Sequence, residues 1–413
     1  MNVVPSAANL EPLESVDPGL ILRRRDVMPR AQLVDVLGEI LDELRHVIEQ
    51  QWPLELPGSP HLADLRFPVR EDLLPVLAEE IGEPPRLVAG EQVGHASNAK
   101  ALYRPAPPAL DRPADRGRRA DAQGRLSSGP MILPLRALWL AAHGAYRALG
   151  FRSRLLRAGT RNLHLYDRRG EGGAPPVILV HGMGGNAAGF LPIVRAVVRA
   201  SRRVVAVELP GHGRSRLEAG EVPATIRECA QAVDAALREV GEPAVLVGSS
   251  LGGALSLFTA ASLPERTAGV VGLNPAGAPL VGADREAVLL AFRGGSAAAA
   301  LEMNRRLYKR PPRLGWLFAR DLGRHWASAP VQQFVSEMGA DVPGIAAVLE
   351  AIDKPVLILW GEGDRILPSS SVEYFRSHLR RGAVEVVPGS GHLPMVESSA
   401  LVAARIARFL AEL

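Results

Sequence analysis

The chain has 413 residues, 47% of them hydrophobic, enough for a sizeable core in one medium domain plus an extension. The formal charge of +4 is small for that length. Its basic residues are arginines except Lys100, Lys309 and Lys354, with no aromatic-interleaved basic stripe, so no nucleic-acid partner is expected. A lone cysteine, Cys229, excludes an internal disulfide.

The first 19 residues, MNVVPSAANLEPLESVDPG, hold acids and prolines but no basic stretch leading an apolar one, so no secretory signal is expected. Residues 1–103 read as a partly helical extension of unassigned role. Within it, residues 31–51 repeat apolar side chains at helical spacing, from Leu33 and Val36 to Val47 and Ile48, with acids on the other face. One short helix cannot bury such a stripe alone, so this helix is expected to pack on a partner, on a second copy of the chain in self-association, or on the domain that follows. Residues 71–81 suggest a second, weaker helix. Residues 104–130 are rich in proline, glycine, arginine and aspartate and read as a flexible linker.

No run reaches the roughly 20 apolar residues needed to span a bilayer. The nearest, residues 131–150, is broken by Arg136, His143 and Arg147. It reads as an amphipathic helix that either packs on its neighbouring domain or lies on a membrane surface. A cytoplasmic protein, with peripheral membrane contact as an option, is the expectation.

From about residue 151 the pattern alternates between strands and helices. RNLHLYD alternates like a half-exposed strand; PPVILVHG, RRVVAVELPG, PAVLVGSS, AGVVGLNP, KPVLILWGEGD and GAVEVVPGSGH are mostly continuous apolar runs. Such runs are buried on both faces, which implies a parallel sheet covered by helices. Helical patterns fall at 188–200, 224–240, 251–262, 370–379 and 394–413. Cys229 lies on the apolar face of the second and reads as a small core residue. Residues 280–352 carry helical patterns and no convincing strand, an insertion of the size of a helical cap. The expected class is α/β: a doubly wound, mostly parallel sheet with a cap over residues 151–413, behind a mainly helical N-terminal extension.

Ligands of such sheets bind beyond the carboxyl ends of the strands. After the apolar run AVLV comes Gly248-Ser249-Ser250-Leu251-Gly252. In this G-x-S-x-G pattern a sharp strand-to-helix turn projects the central serine, so Ser250 is the candidate nucleophile and Ser249 has at most a local polar role. A base follows another strand, His392 in GSGHLP. An orienting carboxylate follows PVLILW, where Asp364 takes the turn position and Glu362 faces solvent. The order Ser250, Asp364, His392 is that of one hydrolase fold and not of the chymotrypsin or subtilisin types. Two backbone donors are also needed for an oxyanion. The candidates are the Leu251 amide and the Met183 amide, the latter in His181-Gly182-Met183-Gly184-Gly185. Gly182 and Met183 are further expected to line the substrate site. His181 is expected to have a structural hydrogen-bonding role. No metal-spaced cluster of histidine and cysteine is present, so neither metal nor cofactor is expected.

The motifs HGMGG, ELPGHGRS, VGSSLGGA, GEGDRILP and GSGHLPMVE resemble those of the α/β-hydrolase superfamily over residues 151–413. GLNPAGAPL is similar to the monoacylglycerol-lipase-like esterases in that superfamily. Glu208 stands where the family often has aspartate, at a position that is usually structural. A serine at the elbow implies an acyl-enzyme, unlike the aspartate of dehalogenases and epoxide hydrolases of this fold. The resemblance and the apolar cap together imply a hydrolase of carboxylic esters with lipid-like or medium-chain acyl groups, a small-molecule substrate. Alternatives are acyl transfer or thioester hydrolysis on the same triad, or a non-catalytic binding scaffold. The basic cluster Arg305, Arg306, Lys309, Arg310 and Arg313 reads as a solvated cap face.

Overall fold

Val177–Val180 forms a strand (β3) in which every side chain is fully buried. That is what a four-residue apolar run demands at the centre of a sheet covered on both faces. The computed structural model describes residues 133–217, 221–313, 315–338 and 344–413. The expected extension 1–103, with its helix 31–51, and the linker 104–130 lie outside the described residues.

Eight strands make one sheet in the order β1-β2-β4-β3-β5-β6-β7-β8. They are β1 (Arg152–Ala158), β2 (Arg161–Arg169), β3, β4 (Arg203–Glu208), β5 (Ala244–Ser249), β6 (Thr267–Leu273), β7 (Val356–Gly361) and β8 (Gly382–Val387). The β1–β2 and β2–β4 pairings are antiparallel and the others parallel. The mostly parallel α/β sheet read from the sequence is therefore the fold.

Two strands depart from the expectation. β1 lies in RSRLLRA, which carries no continuous apolar run because it is an edge strand with Arg152, Leu155 and Arg157 exposed. β8, expected to be buried on both faces, is the opposite edge, and Val386 is 47% exposed.

Helices cover both faces. α1 (Leu133–Ala148) precedes the sheet, and α2 (Leu191–Ala200) follows a short 3₁₀ turn at Ala187–Phe190. α3 (Ile226–Val240) starts later than its apolar pattern, because Thr225 and Glu228 form a capping box. Cys229 sits in its buried face, and burial pushes the thiol up to about 12, so it serves the core. α4 (Leu251–Ser262) follows β5 directly. The insertion after β6 folds as α5 (Gly282–Ala291), α6 (Ala297–Leu307), α7 (Gly315–Trp326), α8 (Ala329–Glu337) and α9 (Ala346–Ala351), the helical cap. After β7 come α10 (Ser370–His378) and then, beyond β8, α11 (Pro394–Glu397) and α12 (Ser399–Ala411). The last two replace the single helix expected over 394–413, since Ser398 at φ −128° breaks the turn.

α1 packs on protein: Leu135 and Tyr146 are buried, and Tyr146 stacks on Tyr166 of β2 with ring centroids 4.3 Å apart. Among the described residues, no helix is long and apolar enough to cross a membrane.

Candidate active site

Between β5 and α4, Ser250 adopts φ 53° and ψ −117°. This left-handed backbone costs a non-glycine residue ~1–3 kcal/mol and persists only where the surroundings enforce it. Here the Ser250 N–H donates to Leu273 O at 3.0 Å, and its carbonyl accepts from Ala254 N at 3.1 Å and Ala276 N at 3.0 Å. The flanking glycines answer to close approach. A Cβ on Gly252 would stand 2.1 Å from Val180 O, and one on Gly248 would stand 2.2 Å from Gly252 O. The G-x-S-x-G spacing thus encodes the packing that drives Ser250 upward at the N-terminus of α4, where the helix dipole favours negative charge. Ser249, read as taking a local polar role, is buried with its hydroxyl unpaired among the described residues.

The same carboxyl edge of the sheet carries Asp364 after β7 and His392 after β8. His392 Nδ1–H donates to Asp364 Oδ2 at 2.8 Å, with both side chains almost fully buried. Asp364 Oδ1 accepts from the Ile366 and Leu367 amides at 2.8 and 3.1 Å. Burial raises the carboxyl's pKa, but the facing imidazole and these hydrogen bonds outweigh it and hold it below the usual value. Glu362 is exposed and pairs instead with Lys309 of the cap segment. His392 itself is seated by its backbone N–H on Leu307 O at 2.8 Å. The basic cluster is in part paired, with Arg305 and Arg306 on Glu302, while Arg310 and Arg313 are exposed.

Beside the elbow runs the loop after β3. Gly182 lies against the serine: a Cβ there would be 3.0 Å from Ser250 Cβ and 3.7 Å from Oγ. Gly185 N–H closes a β-turn on Gly182 O at 3.0 Å, and Gly184 has φ 68° at the third position, which glycine tolerates. Met183 is the second turn residue, whose amide such a turn leaves unused. Among the described residues, neither the Met183 nor the Leu251 amide donates to a backbone carbonyl.

Three neutral histidines fix this loop. Leu209 N–H donates to His181 Nε2 at 3.0 Å, so His181 Nδ1–H donates to Gly182 O at 2.8 Å. That is the structural role its position suggests. Gly184 N–H donates to His212 Nε2 at 3.1 Å, so His212 Nδ1–H donates to Pro210 O at 3.1 Å. His325 of α7 donates from Nε2 to Gly184 O at 2.6 Å. Burial lowers the pKa of all three, that of His212 to about 3, which matches the tautomers these partners require.

Sequence reading missed two of the residues that set this geometry. Asn274 follows β6 at φ 42°, fully buried. Its Nδ2 donates to Asp364 Oδ2 at 2.6 Å and its Oδ1 accepts from Gly361 N at 2.9 Å. A signal was present, an asparagine at a strand end in LNP, since asparagine tolerates this backbone better than other side chains. His325, in GRHW on a cap helix, carries no such signal. Among the described residues, no group of three or more metal-ligating side chains is placed to hold an ion.

Residues 177–405 match the model of the alpha/beta hydrolase family. The chain is 30% identical over 301 residues to the dihydrolipoyllysine-residue acetyltransferase component of the acetoin cleaving system of Pseudomonas putida, covering 68% of this chain and 75% of that protein. It is 29% identical over 244 residues to a pimeloyl acyl-carrier protein methyl ester esterase of Neisseria meningitidis serogroup C, covering 55% and 90%. Among solved structures, a bacterial membrane phospholipase A matches with a TM-score of 0.58 and 25% identity, over 67% of this chain and 91% of that one. Carboxylesterase CesB of Bacillus subtilis, 23% identical with a TM-score of 0.54 over 66% and 98%, shares the fold.

Proposed function

The chain belongs to the alpha/beta hydrolase family, and we propose that it is a serine hydrolase of carboxylic esters with lipid-like or medium-chain acyl groups. One observation carries the reading: a serine forced to φ 53° at a strand–helix junction shares its sheet edge with a buried His–Asp pair 2.8 Å apart. The esterase and phospholipase names among the relatives support it. An apolar cap core that reaches down to Met183 supports the acyl preference.

In this mechanism Ser250 Oγ attacks the ester carbonyl and its proton passes to His392 Nε2. Asp364 stabilises the imidazolium through Nδ1. The carbonyl oxygen gathers negative charge between the Met183 and Leu251 amides; each such donor is worth roughly 10²–10³ in rate. The tetrahedral intermediate collapses, the C–O bond to the alcohol breaks, and His392 protonates the departing oxygen. Water, deprotonated by His392, then attacks the acyl-enzyme and releases the acid and Ser250.

Ser250→Ala is expected to lower turnover of p-nitrophenyl acyl esters by about 10⁴-fold or more without changing the melting temperature, and to abolish labelling by a fluorophosphonate. Wild-type turnover in that variant would sink the reading and favour a non-catalytic scaffold. A second reading, transfer of the acyl group to a thiol or alcohol in place of water, is favoured by the acetyltransferase name of one relative. Product analysis with a competing thiol separates the two: free acid alone excludes transfer.

A further inference from the structure

The Gly182–Gly185 turn is held by more than its own hydrogen bond. Gly184 is gripped through both of its peptide groups, its N–H by His212 and its carbonyl by His325, and the Trp326 ring lies against it. A Cβ on Gly184 would fall 2.4 Å from that ring. His325 is in turn met edge-on by Trp139 of α1, with ring centroids 5.4 Å apart at 85°. A hydrogen bond also ties the same two helices, from Leu135 N to Asp321 Oδ2 at 3.4 Å. At the far end of the loop, Tyr146 of α1 donates its hydroxyl to Ala187 O at 2.8 Å. Ala187 opens the 3₁₀ turn that closes the loop. The stack on Tyr166 and the edge-on contact with Phe151 at 5.0 Å fix the Tyr146 ring. One helix, lying before the family-matched residues 177–405, therefore braces the loop at two points beyond Met183, at Gly184 through His325 and at Ala187 through Tyr146.

We propose that α1 is a positioning element for the oxyanion loop, acting through His325 on Gly184 and through Tyr146 on Ala187. The inference rests on the serine-hydrolase reading above, because it assigns the braced loop the Met183 donor. Its consequence is regulatory. Whatever loosens α1 lowers transition-state stabilisation without touching Ser250, Asp364 or His392, so the segment in front of the hydrolase fold sets the rate of the site behind it.

The test uses the full chain and four variants: Tyr146→Phe, which removes only the hydroxyl, Trp139→Ala, His325→Ala, and His325→Gln, which retains an N–H donor. Tyr146→Phe, Trp139→Ala and His325→Ala should each lower kcat on a p-nitrophenyl ester by about tenfold, since small misplacements of a reacting group are costly. KM should stay within about twofold, and His325→Gln should recover most of the loss. Melting temperatures identify variants that have simply unfolded, and Tyr146→Phe keeps the buried ring should the alanine variants do so. Unchanged kcat in folded Tyr146→Phe and His325→Ala overturns the proposal. A raised KM at constant kcat also overturns it, because it would place α1 in substrate binding. Failure of the underlying reading looks different: Ser250→Ala would keep wild-type turnover whatever the α1 variants do.

Discussion

The turn at Ser250 and the loop at 182–185, proposed as nucleophile elbow and oxyanion loop, touch, Gly182 against Ser250, yet they are held in different ways. The elbow is fixed mainly by backbone, with Ser256 Oγ adding one hydrogen bond to Gly252 O at 2.7 Å. Neighbouring carbonyls and amides clasp Ser250, and glycines at 248 and 252 allow the approach. Besides its own turn bond, the proposed oxyanion loop is fixed by side chains from its strand end (His181), the loop after β4 (His212), the cap (His325) and α1 (Tyr146, on Ala187). A backbone-clasped turn fails by steric collision. A side-chain-clasped turn fails by losing or charging a partner.

The sharpest break is on the elbow side. Gly252→Ala puts a methyl group into the Val180 and His181 carbonyls, 2.1 and 2.5 Å away, where no flexible side chain can yield. A loss of about 3 kcal/mol or more is expected, read as a lower midpoint in urea denaturation. An unchanged midpoint would mean that the glycine spacing reflects something other than close approach. Gly184→Ala tests the other side. Its φ of 68° and the Trp326 ring 2.4 Å away both oppose a side chain, but an indole can shift. Stability should fall by about 1–2 kcal/mol, while kcat falls by about 10², because the displaced peptide adjoins Met183. Equal stability losses in the two variants would erase the contrast.

That contrast also explains what the sequence could and could not disclose. Ser250, Asp364 and His392 each follow an apolar run, and a strand end is visible as the place where apolar residues stop. The glycines around Ser250 are visible because the steric need is local, within two residues on either side. His325 is invisible because its partner, Gly184, is 141 positions away. Nothing within the helix that carries it distinguishes it from a solvent-facing residue. Edge strands were misread for a related reason. β1 and β8 have only one neighbour each, and their exposed positions include arginine and leucine in β1 and valine in β8, so there an apolar residue does not mark burial.

Asn274 lies between the two cases, a side chain that supports the elbow's partner. Asn274→Ala removes the 2.6 Å bond to Asp364, one of the two donated to the oxygen that orients His392. A charge-assisted bond of this kind supports a loss of about tenfold in kcat. Asn274→Asp goes further: two carboxylates in contact cannot both stay ionised. The acid limb of the kcat/KM profile should then move to higher pH than in the wild type. An unshifted limb would show that Asn274 does not act on Asp364.

The smallest effect is the one that separates the two loops without a mutation. His181, His212 and His325 have folded pKa values below the 6.5 of a free histidine, because burial disfavours the charged ring. Their contribution to stability is therefore complete above pH 6.5 and is lost as the pH falls from there towards the folded values, about 3 for His212. For His212, whose folded value is far below 6.5, the slope approaches about 1.4 kcal/mol per pH unit in that window; His181 and His325 act in the same direction. The depressed carboxylates Asp364 and Glu208 start from 3.8 and 4.5, so their losses come later. Protonated His212 can no longer accept the Gly184 N–H, whereas among the described residues no titratable group clasps the backbone of Ser250. Between pH 7 and 5, amide exchange, corrected for its intrinsic rate, should therefore rise at 182–185 before it rises at 250–254. Parallel changes in the two segments would mean that acid opens the domain as a whole, and that the histidines hold the loop no more loosely than the backbone holds the elbow.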